Sequence, residues 1–150
     1  MAKKIIILFL LGIVILTGCL PPQPKAVTSK QNFSSSLYLF IKSVDFLQDI
    51  KNFATPTAYQ AQLGTVQQSF ITLRATATEL QDVNTAALDQ ANTALNEAAQ
   101  NLPEGVSLED AAAQLNDEIS AVSKAAQDIG ISLDCQTLWQ QQGISLTPTP

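Results

Sequence analysis

The chain is 150 residues long, one domain's worth, and carries 13 acidic against 8 basic side chains for a net charge of −5. Ala, Gln and Thr are abundant while glycines number 6 and aromatics make up 6%, a mix that favours close-packed helices over a β-sandwich. The acid excess excludes a nucleic-acid partner, which needs a basic footprint, and polybasic adhesion to anionic lipid; it reads as a solubilising surface.

The chain opens with Lys3 and Lys4, followed by an apolar run from Ile5 to Leu16. As a helix this run spans about 18 Å, too short for a hydrocarbon core of about 30 Å, so it reads as a signal segment and not a transmembrane anchor. It ends at Leu16-Thr17-Gly18-Cys19. These four positions resemble the lipobox of bacterial lipoproteins: a branched apolar residue, two small ones, then cysteine. The resemblance implies cleavage between Gly18 and Cys19 by the lipoprotein signal peptidase, for which Leu16, Thr17 and Gly18 are the recognition residues. It implies a diacylglyceryl thioether on the Cys19 sulfur and an N-terminal amine open to acylation, for instance by palmitate. Two or three acyl chains give stable anchoring where one is marginal. Loss of Lys3 and Lys4 with the leader leaves the mature chain near −7. The competing reading, an uncleaved anchor running through Leu20, is opposed by Pro21, Pro22 and Pro24, which stop a helix. In lipoproteins of two-membrane cells an aspartate after the cysteine marks retention; Leu20 stands there, which favours the outer membrane in such a cell.

Residues 20–32 read as an extended linker, stiff where proline-rich, at up to about 3.1 Å per residue. Beyond it no Pro or Gly occurs before Thr55. Ser34, Ser35 and Ser36 offer an N-cap, and Leu37, Phe40, Ile41, Val44, Leu47 and Ile50 form one helical face. Leu39, Phe46 and Phe53 widen that face, which predicts the most buried helix of the domain. Thr55 and Pro56 then suit the cap and first turn of a second helix, with its seam at Tyr59, Leu63, Val66, Phe70, Leu73, Ala77 and Leu80. The register slips by one at Asn84, and Leu88, Ala91, Leu95, Ala98 and Leu102 begin a new series. This predicts a break near Asp82–Thr85 with Asn84 or Thr85 as cap; the alternative is one helix of about 46 residues, long for so small a domain.

Asn101 to Gly105 ends the third helix. Ser107 and Asp110 resemble a capping box, and Val106 with Ala111 a hydrophobic staple. Glu109 and Asp110 suit the positive end of the helix dipole. The fourth seam is Leu108, Ala112, Leu115, Ile119, Val122, Ala126 and Ile129, and Gly130 reads as its C′ stop. A short turn of helix is expected within 133–142 and a disordered tail over 143–150. The expected fold is therefore all-α. It is an antiparallel up-down-up-down four-helix bundle over 33–142, following a cleaved signal peptide (1–18) and a lipidated cysteine with its linker (19–32).

The chain has no histidine, so it has no imidazole base, Ser-His pair or His metal ligand. No phosphate loop or calcium loop occurs, and no cofactor or metal is implied. The carboxylate pairs Glu109-Asp110 and Asp117-Glu118 lie on the outer arc of a helix and do not face each other across a cleft, which argues against a catalytic role. Cys135, Leu138 and Trp139 share a face. Cys135 is either a buried thiol packed on the open end of the bundle, or an exposed one that pairs with another protein. Trp139 and Tyr59 could stack on a sugar or peptide but are more often core residues. Gln140–Gln142 read as solvated, and Thr72 and Thr76 as flanking the second seam. The reading is a non-enzymatic, lipid-anchored extracytoplasmic module that meets the membrane through Cys19 and an envelope protein through its surface. The alternative is a bundle that captures a small ligand in a central cavity left open by Phe40, Phe46 and Phe70. A third is an enzyme using the acids.

Overall fold

The computed structural model describes residues 25–141; the Leu16–Cys19 stretch, residues 19–24 of the 19–32 linker and the 143–150 tail lie outside the described residues. The described residues are all helical, with no strand among them: α1 (Lys25–Gln48), a 3₁₀ turn (Ile50–Asn52), α2 (Pro56–Ala77), α3 (Ala86–Gln100), α4 (Leu108–Ser132) and α5 (Cys135–Gln141).

Helix α1 begins at Lys25, so residues 25–32, expected as extended linker, are helical. Residues 27–32 are exposed or half-buried, and the packed part of the helix begins at Phe33. Phe33 and Ser34 are fully buried, which extends the apolar seam of Leu37, Phe40, Ile41, Val44 and Leu47 one turn toward the N-terminus. Ser34 is therefore an interior position and not a cap. Two residues expected to widen the seam turn outward instead, with Leu39 62% and Phe46 47% exposed. Phe46 keeps an edge contact with Phe53 at 5.3 Å between centroids. The end of α1 is closed by Asn52, whose Nδ2 donates to the Phe46 carbonyl at 2.9 Å.

Thr55 caps α2 as its residue type predicts, accepting from the Ala58 amide at 3.2 Å, with Pro56 at the first helical position. The contacts between α1 and α2 run in opposite order along the two helices. Phe53 meets Tyr59 at 5.1 Å, Ser43 Oγ meets Ser69 Oγ at 2.9 Å, and Phe40 meets Phe70 at 5.9 Å. The α2–α3 break falls where the register slips, over residues 78–85. Helix α4 is capped by Ser107, whose Oγ accepts from the Asp110 amide at 3.1 Å and donates to the Asp110 carboxylate at 2.8 Å. Val106 and Ala111 both join the core at that end.

Helix α4 runs past Gly130 to Ser132. Gly130 is an interior helical residue, and the left-handed turn beyond the helix belongs to Asp134 at φ 51°. Gly130 is needed for space: a Cβ there would lie 3.1 Å from Cη2 of Trp139. Trp139 docks α5 by donating its indole N–H to the Ser34 carbonyl at 2.9 Å. It also packs against the Tyr38 ring at 6.0 Å between centroids.

Helix α1 packs against α2, α4 and α5, and α3 packs against α4. One continuous core runs from Phe33 to Trp139. The first turns of α1, the loop at 78–85, the start of α3, the end of α4 and α5 gather at one end of the domain, fixed by the Trp139–Ser34 and Arg74–Asp89 contacts. The 3₁₀ turn and the loop at 101–107 lie toward the other.

Candidate functional site

Phe40 and Phe70 stack at a tilt in the centre, with Leu37, Leu73, Leu95 and Leu115 buried around them. A groove of about 660 Å³ lies between α3 and α4. Its floor is alanine: Ala87, Ala91 and Ala94 from α3, Ala121 and Ala125 from α4, with Ile129 at one end. Their short methyls leave this side of the helix pair open where longer side chains would fill it. Lys124 and Asp128 also line it, paired with each other at 2.9 Å and mostly solvated. Such an ion pair contributes well under about 1 kcal/mol and leaves both groups free to exchange partners.

Beside this groove, α2 and α3 are joined by polar side chains. Arg74, the one arginine of the chain, meets the Asp89 carboxylate at 3.0 Å and the Thr85 hydroxyl, which in turn donates to Asp89 at 3.0 Å. Thr85 holds the cap position of α3 but makes no capping bond, because its hydroxyl is engaged in this knot. Asn84 accepts from the Ala86 amide at 3.0 Å in its place. Further along, Asn96 donates to Gln67 at 2.8 Å. Sequence reading missed this knot. Its signal was a lone arginine near the end of α2 facing an acid in the first turn of α3.

The single residues singled out earlier fall as follows. Cys135 is fully buried and its thiol is pushed up from its ordinary value by that burial, which removes the exposed-thiol reading. Trp139 and Tyr59 are buried, so neither offers a stacking face. The Tyr59 hydroxyl is buried with no partner and its pKa is pushed up to about 12 by desolvation. Burial also raises the Asp45 carboxyl, opposed by Lys42. Gln140 and Gln141 are exposed. Thr72 and Thr76 bond back to the carbonyls of Gln68 and Leu73 on the flank of α2. Of the paired acids, Asp110 serves the α4 cap, and Glu118 turns partly inward with one carboxylate oxygen buried and unpartnered. Glu109 and Asp117 are exposed on the same helix, and no group of three or more metal-ligating side chains occurs among the described residues. Asn92, unforeseen, is buried in the α3 seam between Leu88 and Leu95, with its carbonyl oxygen unpartnered.

No protein-family model, curated protein or solved structure matches this chain.

Proposed function

We propose that this protein is a bacterial lipoprotein: a non-enzymatic helical binding or scaffold module held to the extracytoplasmic face of a membrane by lipid on Cys19. The observation that carries the reading is the stretch Leu16-Thr17-Gly18-Cys19 after a basic and then an apolar segment. No helix among the described residues is long and apolar enough to cross a membrane, so a covalent lipid would be the attachment for this domain. In a cell with two membranes, Leu20 after the cysteine favours the outer one.

The finer architecture belongs to the same proposal. The opposed order of the α1–α2 contacts, the short connections and the α1–α4 and α3–α4 packing support an antiparallel up-down-up-down bundle with α5 as a clasp. Its role is to present a surface to an envelope protein; no nucleic acid and no cofactor take part. The test is crosslinking in intact cells, comparing the wild type with Cys19→Ser and identifying captured proteins by mass spectrometry. Capture of one envelope protein by the lipidated form alone is the expected result; capture of nothing specific by either removes the partner reading.

A second reading, capture of a small ligand, draws support from the α3–α4 groove rather than from a central cavity. Ala94→Trp would fill that groove, and unchanged ligand uptake would remove it as the site.

A further inference from the structure

We propose that the end of the domain formed by the first turns of α1, the end of α4 and α5 rests on the lipid headgroups, while the loops at 49–55 and 101–107 point away. This rests on the lipoprotein reading above and adds an orientation to it.

The first observation is length. Helix α1 begins at Lys25, so only Leu20–Pro24 separates it from Cys19. Even fully extended, that stretch reaches at most about 20 Å. Helix α1 is itself 24 residues, about 36 Å. The tether is shorter than the domain it holds, so the start of α1 stays beside the bilayer. A linker running to residue 32 would have let the whole domain move away from the bilayer; the observed helix start keeps this end close to it.

The second observation is chemical. Two of the large apolar side chains left in solvent lie at this end, Val27 at 44% exposed on the first turns of α1 and Ile131 at 65% on the last turn of α4. Lys30 lies three residues beyond Val27 on the same helix. Apolar side chains beside lysines suit the boundary between acyl chains and headgroups. Glu79, Asp82 and Asp134 share the same end, which holds it at headgroup depth and no deeper. The far end carries exposed Asp49, Glu104, Glu109 and Asp110 with Lys51 to offset them, so an anionic surface repels it somewhat more than the proposed lipid end. The side of α1 is a poorer lipid face, because the Lys42–Asp45 pair at 3.9 Å interrupts Leu39 and Phe46.

The experiment uses the full chain, expressed with its leader and reconstituted in vesicles of phosphatidylethanolamine and phosphatidylglycerol carrying a headgroup-linked acceptor dye. Donor dyes are placed at Gln81→Cys, near the proposed lipid face, or at Glu104→Cys, away from it; buried Cys135 is left in place. Energy transfer from the position 81 dye is expected to exceed that from position 104 at least about twofold, given an offset comparable to the ~36 Å helix. Ten Gly-Ser residues inserted between Pro24 and Lys25 should narrow that difference, and Val27→Glu with Ile131→Glu should lower transfer from position 81. Equal transfer from both positions, as for a domain lying on its side or tumbling, would overturn the orientation, as would a reversed order. Mass spectrometry of the same sample separates the two proposals. A Cys19 without lipid removes the lipoprotein reading together with the orientation, whereas a lipidated chain with equal transfer removes the orientation alone.

Discussion

The two halves of the domain close their cores by different means. The α1–α2 half is built on aromatic rings: Phe33, Phe40, Phe53, Tyr59 and Phe70, four of which form the Phe40–Phe70 and Phe53–Tyr59 contacts. The α3–α4 half has no aromatic residue between Phe70 and Trp139 and relies on leucines, Ile119 and a series of alanines. Large side chains fill the space between α1 and α2 to the rim, and polar contacts such as Ser43–Ser69 finish the edge. Alanines fill only the line of closest approach, and the space to one side of it remains as the groove. The lesson is that a small-residue seam yields a surface feature as a by-product of packing.

This contrast can be broken in order of size. Phe40→Ala should remove the most, about 3–5 kcal/mol of unfolding free energy by urea titration, because the ring it deletes is fully buried. Next is alkaline pH. Burial holds Tyr59 at about 12 against an ordinary 10.0 and raises Cys135 from 9.0. The folded state thus binds these protons more tightly than the unfolded one. Stability is full below the unfolded values and falls as pH rises through 9 and on toward 12, with the tyrosine accounting for about 2–3 kcal/mol. Tyr59→Phe should abolish the later part of that loss and leave neutral-pH stability equal or higher, since the hydroxyl it deletes has no partner. A Tyr59→Phe protein with the same alkaline titration would refute the assignment.

On the alanine half, two substitutions of the same chemistry should part company. Ala126 is fully buried, so Ala126→Leu overpacks and should cost about 1–3 kcal/mol. Ala94 lines the groove and is exposed, so Ala94→Leu should change stability by no more than about 0.5 kcal/mol. Equal costs would mean the groove is closed in solution. The smallest well-defined effect is Ser107→Ala, which frees one amide of α4 and should cost about 1 kcal/mol in the same titration.

Much of the fold was legible. Thr55, Ser107 and the slip at Asn84 each marked a helix boundary that the structure places there, because caps and register are local properties. Two of the misses share a cause. The interior positions of Ser34 and Gly130 are both decided by Trp139, a neighbour that Ser34 meets only across most of the chain. Gly130 looked like a helix stop because glycine tolerates that turn, yet it yields room to Trp139, and Asp134 takes the turn. The candidate site was less legible. The groove needs Ala91 and Ala125 from different helices, and neither is distinctive alone. The buried positions of Cys135 and Tyr59 depend on which helix covers them, which periodicity does not tell.

The bond between the Trp139 indole and the Ser34 carbonyl joins residues 105 positions apart. A chain made or threaded through a membrane from its N-terminus exposes Ser34 and Tyr38 early and Trp139 last. The clasp over α1 therefore closes only when nearly the whole chain has emerged, and closing so large a loop is a late kinetic event. Until then α1 lacks one of its packing partners, and the contact that joins the start of the core to its end is the last to become available during synthesis.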